Sequence, residues 1–152
     1  MRFTTLTDYG LRAMLEIAAS QDEWVSIETV ATSQSMSDDY LRTALNALKR
    51  AGLVESRKGR QGGFKLAKSA DEIHLADVIR AIDGPLTSIS GHRPEGVAYT
   101  GAASGLEKVW IALRAKERRI LDNVSLQDVL DSKFPDFIQV LVDDPDSWGA
   151  PN

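Results

Sequence analysis

The 152-residue chain contains no cysteine. Disulfides, thiolate metal sites, cysteine nucleophiles and thiol redox switches are thereby excluded. Histidine occurs only at His74 and His92, without an HxxxH spacing, so no metal site and no zinc are expected. Long hydrophobic runs are also lacking. The longest is Val109–Leu113, far short of the roughly 20 apolar residues that cross a bilayer. The opening stretch MRFTTLTDYG has neither an apolar signal core nor a small-residue cleavage site, so a cytoplasmic protein with no membrane partner is expected. The glycine-rich run Gly59–Gly63 lacks the Lys-Ser/Thr ending and the following helix of a P-loop. With no nucleophile–base pair, metal set or cofactor fingerprint, no enzyme is expected.

What is present is a soluble globular composition, 43% hydrophobic and 26% charged, with a net charge of −4. The charge is unevenly spread. Arg42 to Lys68 holds eight Lys or Arg against one acid, Glu55, while the remainder holds ten bases against twenty-one acids. A basic block inside an acidic chain is the footprint of a surface that meets a polyanion.

The block is organised as a helix followed by a hairpin. Ser37 is positioned to cap the helix, with Asp38 and Asp39 complementing its positive end. Leu41, Ala44, Leu45 and Leu48 recur at i, i+3, i+4 and i+7, and Gly52 supplies a left-handed stop. Leu53–Arg57 reads as a strand, Lys58–Gly63 as a glycine-rich turn, and Phe64–Leu66 as the returning strand. A helix running into a hairpin tipped Arg-Lys-Gly-Arg matches a winged helix-turn-helix, whose helix enters the major groove and whose wing follows the backbone or minor groove.

Around this block the reading is mainly α. A first helix is expected from Thr7 or Asp8 to about Ser20, with Tyr9, Ala13, Met14, Ile17 and Ala18 on its packing face. Trp24-Val25 forms a short strand, and Ser26 caps a second helix through Ala31 or Thr32. Leu75, Val78, Ile79 and Ile82 mark a fourth helix that Gly84-Pro85 ends. Leu86–Gly101 has no period and reads as a loop. A long helix is expected from about Ala102 to Asn123, striped by Leu106, Val109, Trp110, Leu113, Ile120 and Leu121. Ser125 with Asp128 resembles a capping box for Leu126–Leu130, Phe134, Phe137, Ile138 and Leu141 add an apolar turn, and an acidic tail frays from Asp143. The stripe exceeds what a small winged domain needs to cover. Pairing with the same helix of a second copy would bury it.

The residues LTDYGLRAMLEIA, YLRTALNALKRAGLVESRKGRQGGFKLA, IHLADVIRAIDGPL and GLEKVWIALRAKERRILDNVSLQDVL resemble the Rrf-two family of bacterial winged-helix transcription factors. The resemblance spans Met1 to about Leu130. It implies homodimers formed through the long carboxy-terminal helix. It also implies a division into a DNA-binding domain over residues 1–86, a cluster or effector loop over 87–104, a dimerisation helix with further helices over 105–142, and a flexible tail over 143–152. The iron–sulfur members hold their cluster with three cysteines after the DGPL-like segment. Thr87–Ser104 offers no thiol, so the chain resembles a cluster-free member with no cofactor. Asp8 stands where one branch of the family has a carboxylate ligand. A lone carboxylate does not replace thiolates, and capping or solvation is the work expected of it.

The expected DNA-binding residues are Ser37, Tyr40, Arg42 and Thr43 on the first turns of the reading helix, Lys49 in its last, and Arg57, Lys58, Gly59, Arg60 and Gln61 in the wing. Arg42 either forks onto guanine O6 and N7 or holds a phosphate; Tyr40 and Thr43 reach phosphate or a thymine methyl. Trp24, Trp110 and Trp148 read as packing residues, and Trp110 could also line an effector pocket beside the 86–101 loop. The function expected is a sequence-specific, homodimeric regulator of transcription, a repressor on a palindromic operator, with double-stranded DNA as partner and an unknown small molecule as possible effector. The alternative is a winged-helix module that binds a protein.

Overall fold

The computed structural model describes residues 3–149. In chain order these form α1 (Thr5–Ala19), α2 (Ile27–Gln34), α3 (Asp38–Arg50), β1 (Val54–Arg57), β2 (Gly63–Leu66), α4 (Leu75–Asp83), α5 (Leu106–Leu121), α6 (Leu126–Asp131) and α7 (Asp136–Asp143). The architecture is mainly α with one two-stranded antiparallel hairpin, as the periodicities predict.

Helix α1 is the element the head packs around: α2, α3, α4, α6 and β2 all lie against it. It begins earlier than the sequence suggests, because Thr4 rather than Thr7 or Asp8 caps it, Oγ1 accepting from the Thr7 amide at 3.1 Å. Thr7 is instead fully buried, and both threonine hydroxyls donate to Asp83 at the end of α4. Asp8 pairs with Arg12 one turn on, at 3.1 Å. Ala13, Met14 and Ile17 supply the buried face, joined by Leu41, Leu45 and Leu48 of α3 and Val78 of α4.

Ser26 caps α2 as expected, accepting from the Thr29 amide at 3.1 Å. The helix runs to Gln34, and Ser35 turns the chain with φ +52°. Ser37 occupies the cap position of α3, but its hydroxyl makes no capping hydrogen bond, so Asp38 and Asp39 alone favour that helix end. At the far end Gly52, with φ +72°, lets the Leu53 amide reach back to the Leu48 carbonyl at 3.0 Å.

The hairpin pairs Val54 with Leu66, Glu55 with Lys65, Ser56 with Phe64 and Arg57 with Gly63. Val25 adds a one-residue third strand beside Phe64, with amide–carbonyl bonds of 2.9 and 2.8 Å. This contact depends on Gly63. Its φ is +141°, and a Cβ there would lie 2.2 Å from the Val25 carbonyl oxygen. That oxygen and the Val25 carbonyl carbon, 2.5 Å away, are both backbone, so nothing gives way cheaply. Gly63→Ala is therefore expected to destabilise the head by roughly 2–4 kcal/mol, seen as a lower urea midpoint with unchanged slope. A loss under about 0.5 kcal/mol would show that the wing does not need this backbone.

After α4, Gly84 ends the helix and the chain crosses a long segment with 3-10 turns at 94–96 and 101–103. Helix α5 starts at Leu106 rather than near Ala102 and holds 16 residues, a rod of about 24 Å. The chain then returns to the head. The Leu75 amide bonds to the Val124 carbonyl and the Leu126 amide to the Ile73 carbonyl, both at 2.9 Å. Leu126 is fully buried in the main core. A head confined to residues 1–86 does not follow this packing, because 124–131 completes it. The Ser125–Asp128 capping box is present, with Ser125 N–H to Asp128 Oδ2 at 2.8 Å.

Beyond α7 the tail makes a 3-10 turn at 145–147, and Trp148 Nε1 donates to the Val142 carbonyl at 2.6 Å. Residues 143–149 of the tail expected to be flexible are all exposed; residues 150–152 lie outside the described part. No described helix is long and apolar enough to cross a membrane.

Candidate nucleic-acid interface

The two faces of α3 divide cleanly. Leu41, Ala44, Leu45, Ala47 and Leu48 are buried, while Ser37–Tyr40, Arg42, Thr43, Asn46, Lys49 and Arg50 are exposed. The exposed row holds the residue types that meet DNA: hydroxyls, an amide, a phenol and three cations. Asn46 was missed by the sequence reading, although it lies four residues from Arg42 and three from Thr43, on the same face. Asparagine is a two-pronged partner for adenine N6 and N7.

Local contacts set what each side chain has to offer. Thr43 Oγ1 donates to the Asp39 carbonyl at 2.9 Å, which uses its one proton and leaves the oxygen as an acceptor only, beside the methyl. Tyr40 packs edge-on against Tyr9 with ring centroids 5.9 Å apart, which fixes the ring of an otherwise 54% exposed side chain. Arg42 lies near Glu28 at the start of α2. The Glu28 carboxyl is held below its usual range first by its own backbone amide, then by the Ser26 hydroxyl and the Arg42 charge. It is therefore ionised at neutral pH and offsets part of the Arg42 charge.

Lys58 to Gln61 form the exposed wing tip, where the Gly62 amide closes the turn onto the Gly59 carbonyl at 2.9 Å. Arg57 differs from its neighbours. Its guanidinium sits 4.6 Å from the centre of the Trp24 ring and donates to the Gln61 carbonyl. A cation stacked and hydrogen-bonded in this way is pre-ordered, so it loses less side-chain entropy on meeting a phosphate. Trp24 is thus the support of a wing arginine as well as a packing residue, a role that distance along the chain conceals.

Arg12 fastens α1 to the helix-turn-helix from the other side. Its Nε donates to Gln34 Oε1 at 3.0 Å, and a second guanidinium nitrogen reaches the Gln34 carbonyl. The reading helix is therefore mounted on a clamped α1–α2 unit.

Helix α5 leaves the head with an open apolar row. Leu106, Val109 and Leu113 are 39, 55 and 41% exposed, and Ile111 outside that row is 38% exposed. The other three stripe residues are partly covered by the chain itself. Trp110 turns toward the loop, its Nε1 donating to the Tyr99 hydroxyl at 3.0 Å, and Ile120 and Leu121 sit half-buried near the return to the head. Arg80 of α4 joins Asp122 at 2.7 Å, an ion pair between the head and the end of α5.

A helix-turn-helix with a pre-ordered basic wing and a charged, outward reading face defines a winged-helix DNA-binding regulator of transcription. The chain belongs to the Rrf2 family: the model described as "Iron-dependent Transcriptional regulator" matches residues 3–132. A provisionally named HTH-type transcriptional regulator of Mycobacterium tuberculosis is 37% identical over 145 residues, 95% of this chain and 90% of that protein. The HTH-type transcriptional regulator CymR of Bacillus subtilis is 31% identical over 130 residues, 85% of this chain and 89% of its own. The solved structure titled as CymR, the global cysteine regulator of B. subtilis, superposes with a TM-score of 0.74 at 28% identity, covering 87% of this chain and 98% of that one.

Iron is part of the family description, and the residues of this chain do not fit it. The 87–104 segment has no thiol, and no three His, Asp or Glu side chains gather at a metal-holding distance among the described residues. The carboxylate expected at most to cap or be solvated, Asp8, is engaged by Arg12.

Proposed function

We propose that the chain acts as a cytoplasmic homodimeric repressor that binds a palindromic operator without an iron–sulfur cluster. The observation that carries this reading is the pairing of an outward α3 face with an uncovered apolar row on α5. One suits a half-site; the other suits a second copy. Two copies joined along α5 would place two reading helices in successive major grooves about 34 Å apart, each wing lying along flanking phosphates. Occupying such an operator would exclude polymerase sterically. The acidic remainder of the chain repels DNA elsewhere, which suits a reader of few sites better than a coat.

Selection of bound fragments from sheared bacterial genomic DNA at physiological salt tests the proposal. A recovered palindrome with half-sites one helical turn apart supports it. Random fragments only, with no salt-sensitive preference, favour the protein-interaction alternative. On the recovered site Arg42→Ala is expected to relax preference at one base position by about 1–3 kcal/mol if it forks onto guanine. Equal loss on every sequence, measured by competition binding, assigns Arg42 to phosphate. Asn46→Ala is the parallel test for adenine.

A further inference from the structure

The segment after α4 leaves a cavity of about 580 Å3 between the head and α5. Its lining is unusual in charge. Asp83 and Glu117 contribute two carboxylates, Trp110 and Phe3 contribute aromatic rings, and no Lys, Arg or His is among the lining residues. Glu117 is only 8% exposed. Its hydrogen bond among the described residues comes from the Thr87 hydroxyl, and neither it nor Asp83 takes part in an ion pair there. Burying a carboxylate with a single neutral donor is costly, because a charge removed from water needs an opposite charge to offset the loss. The neighbouring cleft makes the contrast plain. There four arginines, Arg80, Arg93, Arg114 and Arg118, face only Asp122 and Glu95, so that cleft carries the opposite sign of charge.

We propose that this cavity is a binding site for a small organic cation, a primary diamine or quaternary ammonium compound. Glu117 supplies the charge partner at depth, Asp83 the second carboxylate near the mouth, and Trp110 an aromatic surface that attracts cations. An anion is disfavoured because two carboxylates and no cation line the cavity, although Asp83 also accepts from the Thr4 and Thr7 hydroxyls. A metal ion is disfavoured because two carboxylates without a third ligand do not make a cage. The cavity joins the end of α4, residues 85–89 and α5, so an occupant would fix the head against the dimer helix and thereby the spacing of the two reading helices. This coupling rests on the regulator reading; the site itself does not.

Calorimetric titration of the full chain with choline and with putrescine, at constant ionic strength, tests the site. At least one should saturate at one equivalent per protomer below about 10 mM, while the neutral choline isostere dimethylbutanol should not bind. Glu117→Gln, which keeps the shape and the Thr87 contact, should weaken the cation at least about tenfold and leave the thermal unfolding profile cooperative. No saturation by either cation, or equal affinity in Glu117→Gln, overturns the inference. So does weakened self-association of Glu117→Gln in a chain that binds neither cation, because the carboxylate then serves a basic group of the second copy. Sequence-specific DNA binding without cation binding removes the site and leaves the regulator; cation binding without any DNA binding keeps the site and removes the regulator.

Discussion

Replacing Val109 and Leu113 together by glutamate is expected to turn a dimer into a folded monomer and to lower operator affinity by roughly two to four orders of magnitude. Both side chains stand in solvent within one chain, 55 and 41% exposed. Charging them therefore costs the isolated protomer little. In a dimer built along α5, each would be buried against the second copy. Every large apolar side chain lost from such a contact forfeits roughly 1.5–3 kcal/mol, and two new carboxylates per protomer face each other across the two-fold axis. The loss on DNA is larger than the loss of any single contact, because one head alone forfeits the effective concentration that the other supplies. Sedimentation equilibrium reads the first effect and competition binding the second. A variant that stays dimeric would move the interface off α5, with α7 and its exposed Val140 and Leu141 as the next surface to charge.

Removing Arg57 and Arg60 together should weaken binding to all DNA by roughly two orders of magnitude near 0.15 M salt, while leaving the preferred sequence unchanged. Each phosphate contact releases counterions worth about 0.9 in the slope of log affinity against log salt, so losing four per dimer should flatten that slope by roughly 3 to 4. The two arginines are not equivalent. Arg57 is held over Trp24 and to the Gln61 carbonyl, whereas Arg60 is exposed at the tip. Trp24→Ala should therefore reproduce part of the Arg57→Ala loss with no charge removed, through the ordering it withdraws. A salt slope unaltered by the double substitution would place the wing away from DNA. That outcome would favour the protein-binding alternative.

Much of the fold was legible in the sequence because its signals are local. The i, i+3, i+4, i+7 spacing of Leu41, Ala44, Leu45 and Leu48, the Gly52 stop and the glycine-rich turn each specify geometry within one or two turns of chain. The basic block needed only counting, and the absence of cysteine settled the question of thiolate ligands by itself. The exposed row on α3 followed from the same periodicity, with Asn46 and Arg50 left out of the expected DNA-binding residues.

The tertiary structure decided what depends on residues distant in the chain. Cap choice moved to Thr4 because Thr7 is taken into the core to meet Asp83, 76 residues away. Leu126 joins the head because the Ile73–Leu75 backbone offers unpaired groups that Val124–Leu126 satisfies. Trp110 leaves the apolar row for Tyr99, and Trp24 supports Arg57 across a one-residue strand. Glu117 reads as one more charge on a solvated helix; only the closing of residues 85–89 over α5 makes it a buried carboxylate. Helical periodicity fixes which side of an element a residue occupies, but long-range packing decides which sides meet water and which meet each other.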